Sequence, residues 1–386
     1  MNLNNNITIT GCGLSGMISA LALASNNIPS TIIEKKSCKD KSFFSDVRTT
    51  ALTDSSRKFF EEIGIWKKFS DFVGPINDIY VVDNKSPEML HFASSDLEDG
   101  EIMGYLIQNT DFKKILYELV SSNKLINVIQ NCSYEIRENT LDGCSLILND
   151  GEEHKSDLLL VCDGRYSTAR QQFFSSNIEK TYAQCALTFI VHHVKPHEGT
   201  AVEHFMPTGP FAILPLKDQK RSSIVWTIDA DMKDLLENLP KDEFKEIVQD
   251  NFGEFLGEIE VEGKVAGFPL KAYETNKYFN KRIVLIADTA HVIHPLAGQG
   301  LNQGIKDISC FIKLLSEYGI TDLMLDQYQT MRKTDNSNML EITDTINAIF
   351  SNKSKILQAG RSLGFQTIEK VTPFKKLLIK YAMGRR

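Results

Sequence analysis

Apolar positions along the chain fall into two textures. Short unbroken runs, Ile7 to Thr10, Thr31 to Ile33, Leu158 to Val161 and Arg282 to Ala287, each end at glycine or a carboxylate: Gly11, Glu34, Asp163-Gly164 and Asp288. Runs of this kind, apolar on both faces, belong to buried strands of a parallel sheet. A helical pattern follows two of them, over Met17 to Ala24 and from Gly298 to about Leu315. Between residues 176 and 272 the texture changes. Ala186–Val191, Ala212–Leu216, Ser223–Ile228 and Gly263–Leu270 are short, β-rich and separated by turn residues, as in a largely antiparallel sheet. One charge-rich helix is expected among them, from Met232 to Gln249. The pattern predicts an α/β chain with a Rossmann-like domain over 1–175 and 273–345, a mostly antiparallel β-sheet domain over 176–272, and a helical tail over 346–386. Residues near 75–105 are expected to reach from the first domain toward the second.

Composition narrows the class. The 386 residues carry a formal charge of −7, which argues against a general nucleic-acid binder. Seven cysteines lie scattered with no C-x-x-C pair, the usage of free thiols in a reducing compartment. Met1 to Asn6 has no basic signal-like region, and no stretch approaches the roughly 20 apolar residues of a membrane-spanning helix. These features predict a cytoplasmic protein, or one attached to a membrane from one side only.

The candidate chemistry sits at the strand ends. Gly11-x-Gly13-x-x-Gly16, with Leu14 and Ser15 inside it, follows the first strand and opens a helix, and Glu34 ends the next strand 18 residues later. Such a turn brings backbone N–H groups of a helix start onto a pyrophosphate, and the acid is placed to accept hydrogen bonds from a ribose diol. FAD or NAD would suit that acid better than NADP; a tight structural turn is the alternative. Asp163-Gly164 is by itself only a strand-to-helix turn. In Ala287-Asp288-x-x-His291-Val-Ile-His294-Pro295, the H-x-x-H pair resembles a metal motif, but Pro295 biases His294 away from helix and no third donor is spaced to help. His192, His193 and His197 likewise lack a companion ligand at zinc spacing, so no metal is expected. No catalytic dyad stands out, and no general base is assigned.

Three pieces in this order, the glycine turn, Cys162-Asp163-Gly164 with Arg170, and Asp288-x-x-His291-x-x-x-Pro295, resemble the group A flavoprotein monooxygenases. Within that group the chain is similar to the ring hydroxylases of ubiquinone biosynthesis, the UbiH/UbiF type. The likeness is carried by Asp46-Val-Arg48-Thr-Thr-Ala-Leu52, Gly104-Tyr-Leu-Ile-Gln-Asn109, Phe205-Met-Pro-Thr-Gly-Pro210 and, most specifically, His294-Pro-Leu-Ala-Gly-Gln-Gly-Leu-Asn302. The resemblance implies a p-hydroxybenzoate hydroxylase-like fold. It places Gly11, Gly13, Leu14, Ser15 and Gly16 on the FAD pyrophosphate and Glu34 on the adenosine ribose. Arg48, Gln108 and Asp163 would contact the cofactor from neighbouring loops, Asp163 with a share in NADPH contact. Asp288 would meet the ribityl chain or pyrophosphate, Pro295 the isoalloxazine face, and Gly298, Gly300, Leu301 and Asn302 its pyrimidine edge. Ala287 departs from the family's glycine. Implied too are NADPH or NADH as electron donor, molecular oxygen, a C4a-hydroperoxyflavin, and a polyprenylated phenol as substrate. Other readings on the same scaffold are a prenyl reductase, a halogenase (whose W-x-W-x-I-P signature is missing) and a non-catalytic flavin-stabilised subunit of a membrane-associated complex.

The tail fits a substrate that lives in membranes. From Lys353 to Arg386 there are nine Lys or Arg against one acid, Glu369, and Phe374, Leu377, Leu378, Tyr381 and Ala382 fall at helical spacing. A basic amphipathic helix of this kind suits an anionic membrane surface or an acidic partner among the other ubiquinone-biosynthesis proteins.

Overall fold

The computed structural model describes residues 6–83, 89–96, 102–294, 298–350 and 383–384. At its centre Ile7–Thr10 pairs in parallel with Ser30–Ile33 on one side and Leu158–Val161 on the other. Ile126–Ile129 and Ile283–Leu285 extend the sheet outward, and Phe279–Asn280 closes one edge antiparallel. The central strands are fully buried because helices cover both faces, so no polar side is needed. Leu14–Ser25 packs there between Asn109–Ser122 and Gln299–Tyr318. The chain enters and leaves the first strand at the point where its neighbours diverge, and the C-terminal strand ends there face the crevice in which doubly wound folds bind ligands.

An eight-stranded sheet forms the other half. Its spine is a pair of long antiparallel strands, Ser176–His193 and Ile259–Thr275, which extend well beyond the short runs visible in the sequence. Three register shifts, at Ser176/Ile178, Thr181/Cys185 and Thr188/Ile190, bend the pair. Arg221–Asp229, Gly209–Pro215 and Thr200–Met206 continue the sheet. Asp78–Asp83 and Met89–Ala93 then join its edge, so this early segment contributes strands to the second half.

Side chains alternate across this sheet. Leu187, Phe189, Val191, Phe211, Ile213, Ile224 and Trp226 point outward and are covered through Phe244, Val248 and Phe252 of a helix. The other face turns toward the parallel half, where Ser223 Oγ lies 2.9 Å from Thr49 Oγ1 and the Arg48 guanidinium sits 5.2 Å above the Phe268 ring.

Two local differences from the sequence reading have plain causes. The single helix expected over Met232–Gln249 is two, Lys233–Glu237 and Lys241–Phe252. Pro240 separates them in an extended conformation (ψ 143°); it has no N–H to donate and disfavours helix in the residue before it. The antiparallel strands Tyr134–Asn139, Cys144–Leu148 and Glu153–Ser156 were not foreseen, because they alternate polar with apolar residues too irregularly to stand out.

The last described helix, Asp322–Phe350, runs past both halves and ends with Phe350 stacked 4.0 Å from Phe205. The basic helix expected over residues 353–382 lies outside the described residues. At the far end Met383 is buried beside Met103, and its carbonyl accepts the Ser55 N–H at 3.3 Å. Among the described residues no helix is long and apolar enough to cross a membrane.

Candidate flavin site

The glycine turn divides its three glycines by what surrounds them. Gly11 adopts φ +87°, and a Cβ there would lie 2.7 Å from the Cys162 carbonyl oxygen. At Gly16 a Cβ would come within 1.9 Å of the Gly11 carbonyl oxygen. Both are required by the chain's own packing. Gly13 is different: a Cβ there meets nothing within 4 Å, so the protein itself does not demand glycine. What the missing side chain leaves clear is access to the start of Leu14–Ser25, whose cap, Gly13, offers no side chain to the first-turn N–H groups. Leu14, Ser15 and Gly16 therefore carry backbone donors at the positive end of a helix.

Glu34 closes the same turn. Its two carboxylate oxygens accept the N–H of Cys12 at 2.7 Å and of Lys36 at 2.8 Å, while Gly11 N–H donates to Ile33 O at 2.8 Å. The acid is thus oriented by backbone groups, with lone pairs left for a diol.

Asp163 is held differently. Tyr134 donates to it at 2.6 Å and Ser167 at 3.3 Å, and burial raises its carboxyl above the usual range despite these bonds. The Tyr134 hydroxyl is itself pushed far up, by burial and by the carboxylate beside it. Arg170 donates to the Arg165 carbonyl at 2.9 Å and lies 4.2 Å above the Tyr273 ring, whose hydroxyl bonds the Asp288 carbonyl. This chain of contacts links the second and third motifs; spacing alone gave no sign of it.

Arg48, Gln108 and Asp288 come to one edge of the crevice. Arg48 is half-exposed and forks onto Asp46 through Nε at 2.8 Å and Nη2 at 2.7 Å. Burial opposes the charge on Asp46, but Arg48 and Lys113 outweigh it and bring the carboxyl to about 2. The bond to Asp46, and the field of Asp46 and Asp288 together, raise Arg48 against the cost of burial. Gln108 pairs with Thr49 at the strand end, and the next residue, Asn109, donates its N–H to Arg48 O at 3.0 Å.

The second helix start is Gly298, left-handed at φ +62°, leading into Gln299–Tyr318. Gly300, like Gly13, meets nothing among the described residues where a Cβ would be. Leu301 packs against the core of the parallel half. Asn302 is buried and its carboxamide is fully used: Nδ2 donates to Ala51 O at 2.7 Å and Gly298 O at 3.2 Å, and Oδ1 accepts from Thr53 N at 3.0 Å and Ser56 Oγ at 2.7 Å. Its side chain thus clamps the helix start to the strand Thr49–Thr53. Pro295 lies outside the described residues.

Ala287 stands at φ +55°, a backbone shape that glycine adopts without strain, and a Cβ added to Gly304 would come 2.5 Å from its methyl group. The methyl that replaces the family's glycine is thus housed over a glycine of the facing helix. Beyond it is a buried ionic cluster. Asp307 accepts from Ala287 N at 3.1 Å, lies 2.6 Å from His291 Nε2, and accepts from Arg332 Nε at 2.8 Å and Asn336 Nδ2 at 3.1 Å. Burial raises the cost of its charge, yet His291 and Arg332 hold it at about 2. Arg332 also takes Asp335 at 2.7 Å, an i,i+3 pair on its own helix.

The two motif histidines diverge. His291 serves this cluster, whereas neither ring nitrogen of buried His294 has a hydrogen-bond partner among the described residues, and burial pushes its pKa down to about 4. His193 and His197 bond instead to Lys195 O, Ser222, Leu216 O and Asp218 O.

The FAD binding domain family matches residues 4–343. The ubiquinone hydroxylase UbiL of Rhodospirillum rubrum is 32% identical over 385 residues, which cover 98% of this chain and 89% of that protein. The 3-demethoxyubiquinol 3-hydroxylase of Escherichia coli is 27% identical over 394 residues and 99% of both chains. Among solved structures, p-nitrophenol 4-monooxygenase PnpA from Pseudomonas putida superposes with a TM-score of 0.81 at 15% identity, covering 99% of this chain and 98% of that one. Klebsiella pneumoniae HpxO complexed with FAD and uric acid gives 0.78 at 13% identity, covering 100% and 97%. The fold is the p-hydroxybenzoate hydroxylase-like one, and the two open glycines, Gly13 and Gly300, fit a bound FAD. The chain belongs to the FAD binding domain family, as a group A flavoprotein monooxygenase related to the ubiquinone hydroxylases.

Proposed function

We propose that the protein is a NADPH- or NADH-using aromatic-ring hydroxylase of the UbiH/UbiF type, acting on a polyprenylated phenol in ubiquinone biosynthesis. The observation that carries this reading is the near full-length relationship to a ubiquinone hydroxylase. The glycines left open at both helix starts are consistent with it. FAD, when bound, supplies the two-electron store and the activation of dioxygen. The chain's part is binding, orientation and exclusion of water. Leu14, Ser15 and Gly16 hold the pyrophosphate, Glu34 the ribose diol, and Arg48, Gln108, Asp163 and Asp288 the middle of the cofactor. The helix start at Gly298, Gly300, Leu301 and Asn302 places its positive end at the pyrimidine edge, where reduced flavin carries negative charge. The inner face of the eight-stranded sheet roofs the substrate. The basic tail brings the enzyme, as a cytoplasmic protein, to an anionic membrane surface or a partner enzyme where the prenyl chain resides.

Purified protein is expected to be yellow, to oxidise NADPH or NADH faster when a prenylphenol is added, and to yield a product heavier by one oxygen in mass spectrometry. A colourless protein that cannot be reconstituted with FAD defeats the reading.

A further inference from the structure

The inner face of the eight-stranded sheet carries one carboxylate that nothing in the flavin site uses. Glu203 lies in Thr200–Met206, opposite Ala212 on one neighbouring strand and Val81 on the other. The same row continues through Val225 to Thr188. Strand alternation turns this row to the side of Ser223, which meets Thr49, and of Phe268, which underlies Arg48. It is the face opposite Phe211, Ile213 and Trp226, which pack outward. Glu203 keeps part of its surface accessible, yet enough protein surrounds it that burial alone raises its carboxyl to about 7. Thr188, three strands from Glu203 at the other end of this row, gives an independent sign of a ligand on the same face: it is 3% exposed, and its hydroxyl has no hydrogen-bond partner among the described residues. A buried hydroxyl without a partner is costly unless a ligand or water supplies one.

We infer that Glu203 is a catalytic residue, the acceptor for the substrate's phenolic hydroxyl, and that the small apolar residues Ala212 and Val225 beside it floor the ring. This rests on the ring-hydroxylase reading above. The carboxylate accepts the phenolic O–H in the bound state and fixes which ring edge faces the flavin. As oxygen is transferred the ring oxygen becomes strongly acidic; its O–H bond breaks, the electron pair stays on the ring oxygen, and the proton passes to Glu203. A base that titrates near the working pH is suited to this task. Other charged groups around the inner face are Asp83 two register positions along, Arg48 beyond Phe268, and Asp344 on the C-terminal helix. The upward shift of Glu203 has burial as its sole cause.

The test uses full-length, FAD-loaded protein without NADPH or NADH, and reads the perturbation of the flavin spectrum by 2-prenylphenol and by its methyl ether. Glu203 is ionised above its titration point, so phenol affinity should rise about tenfold between pH 6 and 8, while the ether, having no proton to give, stays flat. In Glu203→Gln both ligands should be flat, and the acid limb of the pH–rate profile should vanish. Glu203→Leu should bind phenol and ether alike. An undiminished pH rise in Glu203→Gln, with flavin still bound, overturns the assignment and leaves the hydroxylase reading standing. A wild-type holoprotein that senses neither ligand overturns both.

Discussion

Two helix starts in this molecule follow one plan, a buried strand, a glycine turn and a helix aimed at the same crevice, yet they are built from different interactions. At the first, Gly11 and Gly16 press backbone against backbone, the nearest contacts being carbonyl groups of Cys162 and Gly11. At the second, the facing contact is a methyl over a glycine, Ala287 on Gly304, and the turn is braced by the His291–Asp307–Arg332 cluster with His294 next to it. The first turn cannot give, because a carbonyl oxygen has nowhere to move without breaking the strand. At the second, side chains have some freedom to exchange volume. It also answers to pH, which the packing of the first does not.

The largest effect should come from Gly16→Ala. A Cβ at 1.9 Å from the Gly11 carbonyl forces helix and strand apart, and a loss of more than about 3 kcal/mol, read by chemical denaturation, is expected. Its partner, Gly13→Ala, should leave stability within about 1 kcal/mol and abolish flavin retention on a desalting column, since the space it fills is open in the protein alone. Equal destabilisation by the two substitutions would remove the distinction drawn between them.

Acid should then find the second turn before the first. The folded pKa of His294 is depressed, from about 6.5 to about 4. Its contribution is therefore fully present above about 6.5 and is lost as pH falls through the window down to about 4, amounting to no more than about 3 kcal/mol. Denaturation midpoints measured from pH 7 to 4 should fall in the wild type and fall less in His294→Phe. The Asp307 contribution follows the same sign at lower pH, present above the ordinary carboxylate range and lost as pH drops toward about 2.

The smallest and most diagnostic effect is a methyl exchange. Gly304→Ala alone should be destabilised by about 1–3 kcal/mol, since its Cβ would lie 2.5 Å from that of Ala287. Combined with Ala287→Gly it should recover fully, because the left-handed position then has glycine and the helix interior alanine. A double-mutant cycle by thermal denaturation measures the coupling, expected at about 1–2 kcal/mol. Additive effects would show that the two sites do not share this space.

Much of this was legible in one dimension. The glycine spacing, the acid ending the second strand and the long apolar runs each report a local demand, such as a tight turn or a strand buried on both faces, that a short window of sequence contains. The i,i+3 pair Arg332–Asp335 is of the same kind. The long strands at 176–193 and 259–275 were only partly visible, because their ends are polar and gain β structure from their partners rather than from their own pattern.

What only tertiary structure decided is which side chains are already engaged. Asn302 reads as part of a glycine-rich helix start, and only the fold shows that its carboxamide is fully used in clamping that start to a neighbouring strand. Asp307 carries no motif and anchors the buried cluster from 20 residues beyond Ala287. Glu203 is one more charged residue in a strand until the register puts it on the inner face, in a row with Ala212, Val225 and an unpartnered Thr188. Backbone conformation is set largely by neighbours in the chain, so sequence spacing carries it. Hydrogen-bond satisfaction and desolvation depend on groups 20 to 250 residues away, and those partners exist only once the chain has folded.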